Sequence, residues 1–203
     1  MRRLLAIVLV MMGTAASASA QDSGALGVTM GYPASIGVIW HVSDRVAIRP
    51  EISLTQISST SSSVITTIGP GGVVLSSTTT QASTDQWTVG YGASALFYVK
   101  QWDALRTYVS PRFVYTRASV AGTSSSSTAA EPASTTEFDS NAYLVTGSFG
   151  AEYAFGTRFA LYGEVGFGYS RTTTDSTQAG ASNTTANSVG TRSGVGVILY
   201  FPR

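Results

Sequence analysis

The chain has 203 residues, of which 11% are charged and 43% hydrophobic, and its formal net charge is +1 at pH 7. This length makes one domain or two small ones, and the near-neutral charge gives no electrostatic case for binding nucleic acid. Cysteine is absent, which excludes disulfides, a lipidated-cysteine anchor and any thiolate metal site. The charged fraction is well below the roughly 25% of ordinary soluble domains, and abundant glycine favours β-structure with many turns.

The N-terminal segment has the pattern of a secretory signal peptide. Arg2 and Arg3 precede an apolar core over residues 4–12, and Ala18-Ser19-Ala20 has the small-residue spacing of a cleavage site. The apolar run is too short to cross a bilayer, and we find no later apolar run long enough for a transmembrane helix. We therefore predict a cleaved signal peptide over residues 1–20, followed by one domain over residues 21–203.

The rest of the chain contains segments in which apolar and polar residues alternate, as in β-strands with two different faces. In the clearest segment one face carries Leu161, Val165 and Phe167, whereas the other carries Glu164 and Ser170. The segments that share this alternation are residues 25–32, 36–42, 46–57, 87–99, 107–117, 143–155, 159–170 and 193–201. Eight such segments predict an all-β domain of eight antiparallel strands.

The predicted connections alternate in length along the chain. The short connections are residues 43–45, 101–105 and 156–157, together with an exceptional one at residues 33–35. The long connections, which are polar and rich in Ser and Thr, are residues 58–85, 118–139 and 172–188. This asymmetry is typical of an up-and-down transmembrane β-barrel with short periplasmic turns and long extracellular loops. From their composition, we expect the long loops to be mobile.

Two barrels could produce the same alternation. A soluble barrel would have its apolar face inside, but its outer surface would then be mainly Gly, Ser and Ala, with very few charges. A transmembrane barrel turns the apolar face towards lipid and the polar face towards a crowded interior. The composition of the two faces favours the transmembrane barrel.

Aromatic residues on the apolar face fall near the two ends of the segments, as they do in proteins that cross a bilayer with two interfaces. The belt predicted at the short-turn end is Trp40, Phe97, Tyr153, Phe155, Phe159 and Phe201. The belt predicted at the long-loop end is Tyr32, Trp87, Tyr115, Tyr143 and Tyr169.

The polar face carries a balanced set of charges. They are Arg49, Glu51, Arg112, Glu152, Glu164 and Arg192. Charges in a narrow interior must pair, because an isolated buried charge is very costly. We predict that these six residues form a salt-bridge network that plugs the lumen. A selective polar path for small solutes is the alternative.

These patterns resemble the small outer-membrane β-barrel superfamily of the OmpA transmembrane domain and OmpX-like proteins. The resemblance covers residues 21–203 and is carried by residues 159–170, by Tyr108-Val109-Ser110-Pro111-Arg112, and by residues 196–201. It implies a location in the bacterial outer membrane, with outer-membrane lipid, lipopolysaccharide and the barrel-assembly machinery as partners. Members usually end on the aromatic residue that the machinery reads, whereas here Pro202 and Arg203 follow Phe201.

Residues that could support catalysis or metal binding are scarce. His41 is the only histidine, and we expect it to face inward near the periplasmic end. Lipid A-modifying barrels need a His with Ser and a carboxylate near the outer leaflet, which is the opposite end. One histidine without cysteine also gives no metal site. We therefore predict a non-enzymatic protein without a cofactor.

Two features of the predicted outer end could make contacts. Gly69-Pro70-Gly71-Gly72, between residues 64–68 and 73–75, predicts the tip of a hairpin that extends strands three and four beyond the membrane. That hairpin either offers a partner-binding edge or packs on other loops. Arg117 and Arg171 point outward near lipid A phosphate level, where they would bind phosphate or simply extend to the interface.

The sequence thus predicts a plugged outer-membrane barrel that contributes to envelope integrity, or to surface contact through its extracellular loops. A narrow pore for small or apolar solutes is the alternative function.

Overall fold

The computed structural model describes residues 23–33, 35–127, 134–176 and 183–201. The predicted signal peptide and the two residues after Phe201 lie outside the described residues. The strands are β1 (Leu26–Tyr32), β2 (Ser35–Ser43), β3 (Val46–Ile68), β4 (Val74–Trp102), β5 (Leu105–Ser126), β6 (Ser134–Ala154), β7 (Phe159–Ser176) and β8 (Thr184–Tyr200). Within these ranges the one helical element is a 3-10 turn, Pro70–Gly72, and no helix is long and apolar enough to cross a membrane.

The strands form a closed antiparallel barrel in which each strand pairs with its neighbours in the chain. The barrel closes where β1 pairs with β8, in a register that runs from Gly27↔Tyr200 to Tyr32↔Val195. The predicted eight-stranded antiparallel fold is therefore confirmed. Strand residues such as Val, Ile, Tyr and Thr fit a pleated surface, and tight turns such as Asp44-Arg45 join consecutive strands at one end.

Most of the three long polar stretches are strand, so their prediction as loops was wrong. β3 and β4 stay paired from Val46↔Phe97 to Ile68↔Val74, and the 3-10 turn closes this hairpin. Gly71 and Gly72 there have φ of 83° and 79°, a conformation that glycine adopts without strain. The predicted hairpin tip at Gly69–Gly72 is confirmed. Composition alone was a poor guide to these segments. Once the register of a strand pair is set nearer the short-turn end, Ser and Thr residues can continue its hydrogen-bonded ladder even though neither face is apolar.

The barrel wall is uneven in height. β1 and β2 have 7 and 9 residues, whereas the other strands have 17 to 29. Above the level of Tyr32, the described part of β3 from Ser53 onward pairs only with β4, and β8 before Val195 pairs only with β7. The wall therefore has a gap above the β1–β2 hairpin, which we call the notch. We call the two ends of the barrel the short-turn end and the long-strand end.

The apolar face of the strands points outward and the polar face points inward. Val165 and Phe167 are 63% and 70% exposed, whereas Arg49 and Glu152 are 3% and 1% exposed. A soluble barrel would show the reverse. The buried core is at the short-turn end of the interior and includes Ile39, Leu96 and Ile198.

Candidate functional site

A layer of hydrogen-bonded side chains fills the interior at the short-turn end. Tyr98 and Tyr200 donate their hydroxyl protons to the two oxygens of Glu152, each at 2.9 Å. His41 Nε2 lies 3.0 Å from the Tyr200 hydroxyl, and the His41 ring stacks on Tyr98 at 5.5 Å with planes 17° apart. Since the proton of Tyr200 goes to Glu152, His41 Nε2 is the donor to Tyr200. We call His41, Tyr98, Glu152 and Tyr200 the tyrosine layer.

Arg106 joins this layer, although it is not among the predicted interior charges. Its side chain is buried, its guanidinium carbon lies 5.5 Å from the centre of the Tyr98 ring, and it interacts electrostatically with Glu152. It was missed because residues 101–105 were assigned to a turn and the strand was started at Thr107. Counting back by two from the inward Tyr108 would have found it.

Above the tyrosine layer lies a buried ion pair. Arg49 Nη2 is 2.6 Å from Glu164 Oε1, and Arg49 Nε donates to Ser94 at 3.1 Å. The Tyr108 hydroxyl donates to the same Glu164 oxygen at 2.9 Å, and the Tyr162 ring lies 4.9 Å from the Arg49 guanidinium carbon. The ion pair and the Tyr108 hydrogen bond satisfy the Glu164 carboxylate, which would otherwise be costly to bury, and the Tyr162 ring covers the Arg49 guanidinium.

A second ion pair joins Arg112 Nε to Glu51. The side chain of Glu51 is 6% exposed and that of Arg112 is 25% exposed, so the arginine is the more open partner. Glycines on the inner face make room for the long side chains. A Cβ on Gly92 would lie 3.2 Å from Glu51 Oε1, and one on Gly150 would lie 2.5 Å from the Tyr108 ring.

The six predicted interior charges therefore differ in their partners. Arg49, Glu51, Arg112 and Glu164 form two ion pairs. Glu152 accepts hydrogen bonds from Tyr98 and Tyr200 and forms no ion pair with a described residue, so its predicted salt bridge is corrected. Arg192 has no ion pair with any described carboxylate, so its predicted place in the network is corrected. It sits opposite Gly166 on β7, and the nearby Glu51 and Glu164 already have arginine partners.

A cavity of about 180 Å³ occupies the interior between these ion pairs and the notch. We call it the outer cavity. Its charged lining residues are Glu51, Arg112, Glu164 and Arg192. The rest of its lining is mainly small or apolar and includes Ser53, Gly90, Gly92, Val114, Leu144, Ser193 and Gly194. The cavity was not predicted, because sequence periodicity does not report unfilled volume.

The aromatic residues predicted as belts lie on the outer face. At the short-turn end, the Phe155 ring centre is 4.9 Å from that of Tyr153 and 5.8 Å from that of Phe159. Trp40, Phe97 and Phe201 are also exposed, as are Tyr32, Trp87 and Tyr169 towards the other end. Tyr115 and Tyr143 there are half-buried. Among the exposed aromatics that were not included in the predicted belts are Tyr91, Trp102, Phe113, Phe149 and Phe167, and the last three lie between the belts.

The two outward arginines have different surroundings. Arg117 lies 3.5 Å from Asp139 on the neighbouring strand, and both side chains are largely exposed. Arg171 is exposed opposite Tyr143 and forms no ion pair with a described residue. The carboxylate of Asp139 competes with any phosphate for Arg117, so Arg171 is the more available cation.

The barrel interior does not bring together a metal site in the described ranges, where no group of three His, Asp or Glu side chains is placed to hold an ion. His41 lies within the tyrosine layer at the short-turn end, against Tyr98 and Tyr200.

No family model matches the chain, and no curated protein matches it. Two crystal structures from Acinetobacter baumannii are similar in fold. CarO is 10% identical with a TM-score of 0.41, covering 88% of this chain and 98% of its own. CarO2 is 12% identical with a TM-score of 0.38, covering 89% of this chain and 100% of its own.

Proposed function

We propose that the chain is a non-enzymatic protein of the bacterial outer membrane, with a plugged lumen and a role in envelope integrity or surface contact. Its apolar outer face suits lipid, and its backbone groups pair around a closed ring, as a chain within a bilayer requires. Tyr143 and Tyr153, on the outer face of β6, are about 10 residues apart. At a tilt of about 40° this separation corresponds to about 25 Å along the barrel axis, the height of the apolar band of such barrels.

The tyrosine layer is the observation that carries the plug. The interior of an eight-stranded barrel is just wide enough for side chains to fill. Here Tyr98, Tyr200 and Glu152 meet across it with hydrogen bonds of 2.9 Å, and the surrounding aliphatic residues are fully buried. Solutes would have to displace this layer to pass.

Surface contact is supported by the tip of the β3–β4 hairpin. Six aliphatic residues there are exposed, namely Val64, Ile65, Ile68, Val73, Val74 and Leu75. No charged residue occurs between Glu51 and Asp85. Of the two arrangements that the sequence left open, the exposure of these side chains supports a partner-binding edge over packing on other loops. An exposed apolar patch of this kind marks an interaction surface.

The first experiment establishes the location and the closed barrel. Outer membranes from cells that express the full chain are run on a gel with and without boiling. A fast unboiled band that slows on boiling supports a detergent-resistant barrel in that membrane. Recovery of the protein in a soluble fraction, without a shift, would contradict the proposal.

A narrow pore is the alternative function, and the outer cavity favours it because part of the lumen is already open. Planar-bilayer recording distinguishes the plugged barrel from the pore. The wild type is expected to give no conductance steps. The double variant Tyr98→Gly/Tyr200→Gly is expected to give small ones, because it removes both rings of the layer. Phe97→Leu, an outward neighbour, serves as the control and is expected to stay silent. Steps in the wild type would favour the pore.

Surface contact is tested by the adhesion of expressing cells to hexadecane droplets. Val74→Ser/Leu75→Ser should lower adhesion relative to the wild type, whereas Ser76→Thr should not. Equal adhesion of all three strains, at equal surface amounts, would remove the tip as a contact surface.

A further inference from the structure

We propose that the outer cavity binds a small organic anion, a carboxylate with a compact apolar body, through Arg192 and Arg112. A plugged barrel does not need this ligand, so the inference goes beyond the proposed function. It rests on the charges, the shape and the access of the cavity.

The charges around the cavity do not balance. Glu51 is paired with Arg112, and Glu164 is paired with Arg49 and also accepts the hydroxyl proton of Tyr108. Both carboxylates of the cavity are therefore satisfied. Arg192 lines the same cavity with an exposed side chain and has no described carboxylate partner, so that, counted with Arg49, the charges around the cavity leave one positive charge in excess. Charge of one sign in a cleft with low-dielectric walls attracts a counter-ion.

Arg112 supplies further donors beside this excess charge. A guanidinium has five N–H groups, and the ion pair with Glu51 uses the one on Nε. The side chain of Arg112 is partly exposed, and Arg112 lines the outer cavity as Arg192 does. Planar guanidinium groups match the two oxygens of a carboxylate, so an anion in this cavity can accept from both arginines.

The dimensions of the cavity restrict the size of the anion. Its volume of about 180 Å³ is below the roughly 300–1,000 Å³ of pockets that hold drug-sized ligands. Val114 and Leu144 provide apolar wall, and Gly90 and Gly92 leave space beside them. A single carboxylate on a ring or short branched chain fits this combination.

The notch provides the access route. Ser53 on β3 and Ser193 and Gly194 on β8 line the cavity at the positions where these strands lose β2 and β1 as partners. A ligand can therefore enter from the side above the β1–β2 hairpin. The tyrosine layer closes the barrel on the side of the short-turn end, so the cavity has an entrance but no exit through the barrel.

Gly168 on β7 makes room for the side chain of Arg192. A Cβ at this position would lie 3.3 Å from Arg192 Cγ and 2.7 Å from Thr146 Cγ2. A larger residue would therefore press on Thr146, Leu144 and Arg192, all of which line the cavity, without removing a charge. This gives a second, independent way to disturb the site.

The test uses the mature chain refolded in a neutral maltoside detergent, with benzoate as the probe and benzylamine as its cationic counterpart. Saturation-transfer NMR titrations should show saturable benzoate binding and no saturable benzylamine binding. Arg192→Gln should weaken benzoate binding about tenfold or more, the effect expected for loss of a charge-assisted hydrogen bond. Gly168→Val should weaken it as well. Arg171→Gln removes the same charge from the outer face and should bind as the wild type does.

Three results would overturn the proposal. They are absence of saturable benzoate binding to the wild type, equal binding of benzoate and benzylamine, and equal effects of Arg192→Gln and Arg171→Gln. The heat-dependent gel shift of each variant verifies folding. Absence of benzoate binding would leave the expected conductance of the wild type and its variants unchanged. The failure of the proposed anion site is therefore distinguishable from the failure of the proposed plug.

Discussion

The Tyr200 hydroxyl donates to Glu152 at 2.9 Å, across the interior from the last strand to the sixth. Tyr200 also accepts from His41 on β2 at 3.0 Å. Its ring thus connects three strands that are not all neighbours in the wall. Because β8 is the strand that closes the ring against β1, a bond across the interior helps to hold the closed form.

Loss of this hydroxyl should destabilise the barrel measurably. Tyr200→Phe leaves the buried Glu152 with one donor fewer, and an unsatisfied buried partner costs about 1–3 kcal/mol. The free energy of unfolding in urea, measured in lipid vesicles, should fall by that amount. Tyr169→Phe is the control, because its hydroxyl bonds Asn187 at 3.0 Å on the exposed face. Equal losses in the two variants would show that Tyr200 has no special role.

The Arg49–Glu164 pair should show strong coupling. Removing one partner leaves a buried unpaired charge, and such single changes cost about 3–5 kcal/mol. Arg49→Leu and Glu164→Leu should each reach that range. The double variant should lose clearly less than the sum of the two, because it leaves no orphaned charge.

The exposed Arg117–Asp139 pair provides the comparison for this set of single and double variants, which forms a double-mutant cycle. Its side chains are largely in water, so its coupling energy should be below about 1 kcal/mol. Unfolding curves of both cycles measure the difference. A coupling energy for the buried pair as small as that of the exposed pair would contradict the assigned ion pair.

Glycine on the inner face should be harder to replace than glycine on the outer face of the same strand. In Gly150→Ala the new Cβ would meet the Tyr108 ring at 2.5 Å, whereas at Gly147 nothing lies within 4 Å. Gly150→Ala should therefore cost about 1–3 kcal/mol through overpacking. Gly147→Ala should be neutral or slightly stabilising. The temperature at which the unboiled gel band disappears reports both, and equal temperatures would refute the close contact.

The outer part of the β3–β4 hairpin should be dispensable for the barrel. Ser58 and Asp85 are register partners, so a two-residue Asn-Gly turn can replace residues 59–84. The removed residues lie beyond the buried interior, and the temperature of gel-band loss should stay within a few degrees of the wild type. Loss of the fast-migrating band would show that the hairpin is needed for folding.

The alternation of residues was enough to predict the number of strands and the inward position of residues such as Arg49 and Glu164, but not which charges pair. Arg49 pairs with Glu164, which is 115 residues away, and not with Glu51 on its own strand. Partners across a barrel depend on the stagger of the strands, which sequence periodicity does not specify. Arg106 was missed through a misplaced strand start, and Arg192 was assigned an ion pair because a balanced count of charges does not establish contact.

The unequal strand lengths leave both joints of β1 short, and the joint with β8 has no connecting turn. The β1–β8 joint is hydrogen-bonded only between Gly27↔Tyr200 and Tyr32↔Val195, whereas the β3–β4 joint continues from Val46 to Ile68. Fewer ladder bonds hold the first joint, and it lies directly beneath the notch. Under strain the barrel should therefore open first between β1 and β8, while the six long strands stay paired with one another.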